Sequence, residues 1–444
     1  MKKNPKRVTI VGAGLVGSLI SIYLAKRGYE VTVFESRYDM RTHAFGGGRS
    51  INLALSTRGI RALEEVGLAE HTKEHAVPMN GRMMHNTQGH LTFQPYGEQG
   101  QYINSISRTG LNMALVAEAE KKGVKFQFEH RCLNVDLDKT ELTFQFFGST
   151  KHYPTDVIIG ADGMFSSIRG AMKGSDPFDY SEHYVEHGYK ELRIPPQEGG
   201  RFPIEKNALH IWPRESFMLI ALPNPDATFT CTLFLPLEGE MSFAQLKSPE
   251  KIQAFFEKSF PDATPLMPTL IEDFRDNPTS SLVTIRCYPW AKHDVLLMGD
   301  AAHGIVPFYG QGMNAGFEDC RIFNHLLNQF ADDWESACTE FQRLRKPDAD
   351  AIAQLALDNF VEMRDLVGTA DFLLRKQIEA RLHELYPKRW IPLYSMVTFH
   401  DHVRYSEAYE TGKKQKKIMD QVMKTPEIAA HWASLNFEEI VNQL

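Results

Sequence analysis

The sequence predicts an α/β protein in three parts: a parallel, doubly wound sheet, an antiparallel sheet inserted into it, and a C-terminal helical region. Three observations predict it. Buried strands are read in "RVTIVGAG", "EVTVFES", 156–160 and 293–298, and the last two are continuous Val, Ile and Leu runs, as strands covered on both faces require. Between the third and fourth of these the period changes to two, with Thr228, Thr230 and Thr232 alternating with Phe229, Cys231 and Leu233. Beyond about 330 the chain turns helical and charge-rich.

Taken in order, "RVTIVGAG" is a buried strand ending in glycine, and "LVGSLISIYLAKRG" is a helix that stops on basic residues and Gly28. "EVTVFES" is the next buried strand. The turn inside this βαβ unit is Gly12-Ala13-Gly14-Leu15-Val16-Gly17. Gly12 permits a tight turn, Gly14 lets backbone approach a pyrophosphate, and Gly17 lets helix pack close to strand. The helix N-terminus offers N–H groups and partial positive charge to phosphates. Glu35 closes the second strand at the spacing that suits a ribose diol, which favours a free 2′-hydroxyl over a 2′-phosphate.

Two further strand ends carry glycine turns: "DVIIGADGMFSSIRG" (156–170) and "HDVLLMGDAAHG" (293–304). A nicotinamide dehydrogenase does not need them, whereas an extended flavin dinucleotide crossing the carboxyl edge of the sheet does. The stretch "GDAAHGIVPFYGQGMNAGFED" (299–319) contains no Lys or Arg and breaks at Gly310-Gln311-Gly312. Bare backbone there suits the close approach of a large ligand, and the helix that follows favours negative charge at its start.

The region 210–236 reads as a long hairpin turning at Pro223-Asn224-Pro225-Asp226, joined by 76–100. The expected division is 1–75, 101–177 and 286–330 for the nucleotide-binding domain, 76–100 and 178–285 for the β-rich domain, and 331–444 for a helical domain. A length of 444 residues supports two or three cores.

A net charge of −7 argues against a nucleic-acid surface. Cys132, Cys231, Cys287, Cys320 and Cys338 have no metal or disulfide spacing, which fits a reducing cytoplasm. No run approaches a membrane span, and a strand within the first few residues leaves no room for a signal peptide. No metal site is expected. His303, beside Asp300, is open to two readings: a packed, hydrogen-bonded turn residue, which is favoured, or a general base. "KKQKK" (413–417) is read as a solvated helix face before a membrane-surface patch.

The three glycine signatures, in this order, resemble the single-component flavin hydroxylases with the para-hydroxybenzoate hydroxylase fold. "LVGSL", "GRSINLALSTRG", "PYGEQGQYINSISR", "LHIWPR", "LPNPDATFTCTLF", "GDAAHGIVPFYGQGMNAGFEDC", "NFVEMR" and "IPLYSMVTF" together look like the kynurenine 3-monooxygenase family within that class. The similarity runs from about residue 7 to about 410.

The resemblance implies FAD as cofactor, NADPH as co-substrate, and hydroxylation of L-kynurenine at carbon 3 by O2 through a flavin C4a-hydroperoxide. It assigns FAD contacts to Val16, Phe34, Glu35, Ser36, Arg37, Ala54, Arg108, Leu133, Ser167, Met313 and Asn314, with Asp300 accepting from the ribityl chain. On the residues alone, Val16, Ala54 and Leu133 read equally as core packing and Arg108 as a surface ion pair. Arg82 and Tyr96 match the pair that clamps the substrate carboxylate, and Asn359 and Tyr394 match further polar contacts. Without the family, Arg82 reads as a snorkelling strand residue and Tyr394 as a packed tyrosine. Two departures stand out: Tyr309 sits where Phe is common, and Phe360 where Tyr can occur. The C-terminal membrane segment of mitochondrial relatives is expected to be missing. The aniline nitrogen of such a substrate activates its own ortho carbon, so no strong catalytic base is expected. A flavin oxidase or dehydrogenase is the alternative enzyme, and a flavin-free binding protein the alternative of another class. No membrane or nucleic-acid partner is expected, and the sequence leaves monomer or homodimer open.

Overall fold

A computed structural model describes residues 6–42, 52–98, 100–174, 177–363 and 369–444. Parts of three quoted blocks, residues 48–51, 99 and 364, lie outside them. The chain divides into two compact units. One comprises 1–77, 104–185 and 281–353, and the other 78–103, 186–280 and 354–444. The helical residues past 330 therefore do not form a third unit. Trp334–Val361 is one unbroken helix, and its first turns carry Trp334, Ala337, Cys338 and Phe341 into the core of the first unit.

The first unit is built on a six-stranded sheet in the order Ala291–Lys292, Val295–Leu297, Val157–Gly160, Arg7–Val11, Glu30–Phe34, Lys125–Gln127. All neighbours are parallel except the short edge strand Ala291–Lys292. Ile10 lies between Val33 and Ile159 in register, and all three are fully buried. The consecutive apolar runs are thus the signature of a sheet with no solvent face. Helix Leu15–Lys26 buries Leu19, Ile20, Ile22 and Leu24 in the same core. A separate meander, Arg131–Asp136, Glu141–Phe146 and Ser149–Pro154, also belongs to this unit.

In the second unit, 210–236 is not one hairpin but a three-stranded meander: Ala208–Arg214, Phe217–Pro223 and Phe229–Pro236. The turn expected at 223–226 falls between the second and third of these strands, closed by Asn224 N–H donating to the Thr228 carbonyl at 2.8 Å. The extra turn falls at Glu215-Ser216, where Glu215 takes a left-handed φ of 56°. The strand Gly81–His85 from the 76–100 region joins the sheet, parallel to Ala208–Arg214 and antiparallel to Leu91–Pro95. Helices Pro249–Ser259 and Leu270–Asp276 cover one face through Ile252, Phe256, Leu270 and Phe274. Ala370–Leu385 and Tyr405–Val422 share a further core around Trp390, Ile378, Leu382 and Met419. The 413–417 stretch lies on Tyr405–Val422, with Lys413 paired to Glu410 and Lys416 to Asp420, a solvated helix face.

Candidate functional site

In the first unit the glycine-rich turn is as tight as its sequence demands. Gly12 has φ +105°, and a Cβ there would sit 2.9 Å from the Asp162 Cα. A Cβ on Gly17 would run into the Gly12 carbonyl. Strand, turn and helix meet at backbone contact, which only glycine permits. No side chain caps the helix that follows, so its first-turn N–H groups remain available to an anion.

Glu35 ends the neighbouring strand and is buried. Its carboxylate accepts from Ala13 N–H at 3.0 Å, from Ser36 Oγ, and from the Arg37 backbone and guanidinium. Burial pushes its proton affinity up, but the Arg37 hydrogen bonds and charge outweigh this and hold it below the usual carboxylate range. A ribose diol at this carboxylate must therefore displace the largely exposed Arg37 side chain. Asn112, which the sequence reading missed, braces the same turn by donating to the Ala13 carbonyl at 2.9 Å.

At the second glycine turn, Asp162 accepts from Ser166 Oγ at 2.5 Å and from the Ser167 N–H at 2.7 Å. The Ser167 backbone is thus spent on capping its own helix. At the third, Asp300 opens the short helix Asp300–His303. Burial raises its pKa, against the charges of Arg108, His303 and Arg169. Among the described residues nothing donates a hydrogen bond to its carboxylate. Arg108, the exposed first residue of helix Arg108–Lys121, has no ion-pair partner among them either. That disfavours the surface ion-pair reading. A carboxylate without donors, a cation without a carboxylate and an uncapped helix start on one unit suit a ligand with hydroxyls and phosphates, as FAD has.

The 299–319 stretch forms a turn at Pro307–Tyr309 and then helix Gly312–Gln329, again without a side-chain cap. Asn314 is fully buried and spends its side chain on the protein: Nδ2 donates to the Ala54 and Gly310 carbonyls, and Oδ1 accepts from Ser56 N–H. It ties strand Asn52–Leu55 to the turn, so any ligand contact falls to its backbone. Ala54 takes part through its carbonyl. Met313 and Val16 are partly buried, and Val16 packs against the Gly299 and Gly316 backbone. Leu133 is half-exposed on its strand, and Phe34 is stacked on Phe144 at 4.0 Å.

Behind this stretch lies a charge network that sequence reasoning did not find. Glu318 pairs with Arg58 at 2.6 Å and with Arg345 at 2.7 Å. Asp319 pairs with Arg345 at 2.7 Å and with His303 Nε2 at 2.5 Å, and Asp348 joins Arg345 at 3.1 Å. All six side chains are nearly inaccessible. Burial raises the Asp319 pKa, but His303 and Arg345 outweigh it and hold the carboxyl below its ordinary range. His303 is thus a hydrogen-bonded turn residue, as favoured from the sequence.

In the second unit three of the four expected substrate residues come together. Arg82, on strand Gly81–His85, places its guanidinium 4.9 Å from the Tyr394 ring centroid and 5.7 Å from that of Tyr96. The two rings stack at 5.2 Å with 14° between planes. The Tyr96 hydroxyl is buried and meets no partner in hydrogen-bond geometry among the described residues, although Arg82 and Tyr394 lie beside it. Burial drives both phenol pKa values up, so both stay protonated at neutral pH. A cation beside two neutral phenol hydroxyls suits an anionic group. Asn359 is buried on the long helix and donates to Met363 Sδ at 3.2 Å. Phe360 meets His187 edge-on at 4.9 Å, and Tyr309, in the first unit, is buried.

The strand that carries Arg82 is locked by a second missed cluster. His85 Nδ1 meets Asp262 Oδ2 at 2.6 Å, and its Nε2 meets His210 Nδ1 at 2.8 Å. His210 Nε2 meets the Glu205 carbonyl at 2.8 Å, which can only accept. His210 therefore carries its proton on Nε2, and burial depresses its pKa to about 4. Its folded pKa lies below the unfolded value of about 6.5, so stability is full above that pH and falls as pH drops from about 6.5 to 4. His210→Gln keeps one donor and one acceptor without titrating. Its unfolding free energy is expected to fall less steeply across this window than that of the unaltered chain, by on the order of 3 kcal/mol in total. Parallel pH profiles from denaturant titrations would remove His210 from this role.

The family described as "FAD binding domain" matches residues 6–336. A kynurenine 3-monooxygenase of Christiangramia forsetii is 48% identical over 448 residues, covering 100% of this chain and 99% of that protein. The kynurenine 3-monooxygenase of Myxococcus xanthus is 50% identical over 94% of this chain and 90% of that protein. Among solved structures, a tetrameric form of 2-methyl-3-hydroxypyridine-5-carboxylic acid oxygenase has a TM-score of 0.67 at 21% identity, covering 83% of this chain and 95% of that one. At that identity it supports the fold alone. No helix of the described residues is long and apolar enough to cross a membrane. The chain belongs to the kynurenine 3-monooxygenase family of FAD-binding hydroxylases.

Proposed function

We propose that this chain converts L-kynurenine to 3-hydroxy-L-kynurenine with NADPH and O2, using FAD. The observation that supports the substrate most directly is the convergence of Arg82, Tyr96 and Tyr394, with a guanidinium over two stacked rings whose hydroxyls burial keeps neutral. In this reading Arg82 pairs with the α-carboxylate of the substrate, where its planar fork matches the two oxygens. Tyr96 and Tyr394, kept neutral by burial, donate hydrogen bonds and wall the head group. Asn359 supplies a further polar contact.

FAD, when bound and reduced by NADPH, supplies oxygen activation. Glu35 holds the adenosine ribose once Arg37 yields. Arg108 faces the pyrophosphate, Asp300 accepts from the ribityl hydroxyls, and the start of helix Gly312–Gln329 favours negative charge on the reduced ring. Gly12, Gly14 and Gly17 admit the phosphates. Phe34, Ser36, Val16, Ala54, Leu133, Ser167, Met313 and Asn314 shape the walls by packing and backbone contact. No strong protein base is needed, because the substrate's own amino group directs attack to the adjacent carbon. The five cysteines are all buried and unbridged, which suits a reducing cytoplasm. The enzyme acts as a monomer or homodimer.

A steady-state assay tests the reading. With L-kynurenine present, NADPH consumption should match hydroxylated product. Stoichiometric peroxide with kynurenine unchanged would instead mark an oxidase.

A further inference from the structure

We propose that His71, Glu74 and His75 form a surface site for a first-row divalent cation of the zinc type. The short helix Ala69–Glu74 ends at His75, so positions i, i+3 and i+4 fall on one side. The three candidate ligand atoms all lie within 4.8 Å of one another. The two imidazole centroids are 4.4 Å apart. All three residues are exposed, so small rotations bring their donors to the 2.0–2.2 Å that zinc requires without moving backbone.

A second observation points to a ligand. His75 Nδ1 lies 2.8 Å from the His71 carbonyl. A carbonyl only accepts, so the proton sits on Nδ1 and the neutral ring keeps its Nε2 lone pair for a metal. A ring oriented by a backbone carbonyl through its other nitrogen is the usual support of a metal-bound histidine. The neighbouring Lys73 is taken up by Glu70 at 2.8 Å, which leaves the Glu74 carboxylate to the site. Two imidazoles and one carboxylate favour Zn²⁺ over Mg²⁺ or Ca²⁺, which prefer all-oxygen shells.

The test uses tag-free, FAD-loaded protein titrated calorimetrically with zinc chloride at neutral pH. One equivalent is expected to bind tightly, with magnesium chloride giving no heat above dilution. His75→Ala should weaken zinc by at least about tenfold, and His71→Ala/His75→Ala should abolish the tight equivalent. Both variants should keep their flavin spectrum and kynurenine turnover, since these side chains are exposed and lie outside the sites above. Zinc binding that is equal in the double variant, or no tight equivalent in the unaltered protein, overturns the site.

Discussion

Arg82→Ala is expected to lower kcat/KM for L-kynurenine by roughly two to four orders of magnitude while FAD stays bound. The guanidinium lies over two stacked rings whose hydroxyls are kept neutral by burial. Removing it leaves the substrate carboxylate facing phenols alone. Loss of one partner of a buried charge pair costs about 3–5 kcal/mol, and each 1.4 kcal/mol is about one decade in rate. Arg82→Lys should recover only part of the loss, because an ammonium lacks the planar fork. The flavin spectrum should not change, since Arg82 belongs to the second unit and the glycine turns to the first. Near-normal efficiency in Arg82→Ala would remove the proposed substrate orientation without touching the flavin assignment.

Arg345→Met is expected to destabilise the first unit severely. It leaves Asp319, Glu318 and Asp348 buried with their shared cation gone. The cost is about 3–5 kcal/mol, a large share of the roughly 5–15 kcal/mol by which folded proteins are stable. Thermal unfolding followed by flavin release should shift down by on the order of 10 °C. The network also sets an acid limit. The folded pKa of Asp319 lies below its unfolded value of about 3.9, so its stabilisation is present above about pH 4 and lost as pH falls below that. An Arg345→Met protein that melts with the parent would show that the carboxylates find other partners.

The parallel strands were legible because a sheet covered on both faces imposes consecutive apolar residues. The glycine turns were legible because Gly12 and Gly17 occupy places where a Cβ meets backbone. The trio Arg82, Tyr96 and Tyr394 was legible only through resemblance, since a lone Arg in a strand has a commoner meaning. What escaped has a common cause. Glu318, Asp319, Arg345 and Asp348 look like the ordinary charges of surface helices, and only tertiary packing turns them inward. His85, His210 and Asp262 are 125 and 52 residues apart along the chain, so no local pattern announces them. The extra strand turn at Glu215-Ser216 carries Ser as its one turn marker and puts Glu, not Gly or Asn, in the left-handed position. That Trp334 to Phe341 join the core of the first unit was not legible either, because charge content says nothing about which core a helix joins.

The central claim is that the chain inserts one atom of dioxygen into the kynurenine ring. Turnover of L-kynurenine with NADPH under isotopically labelled dioxygen tests it directly, with the product read by mass and fragmentation. The expected product carries one labelled hydroxyl on the aromatic ring, with NADPH consumed in equal amount. Unchanged kynurenine with the label recovered only in peroxide, or a hydroxyl derived from water, would contradict it.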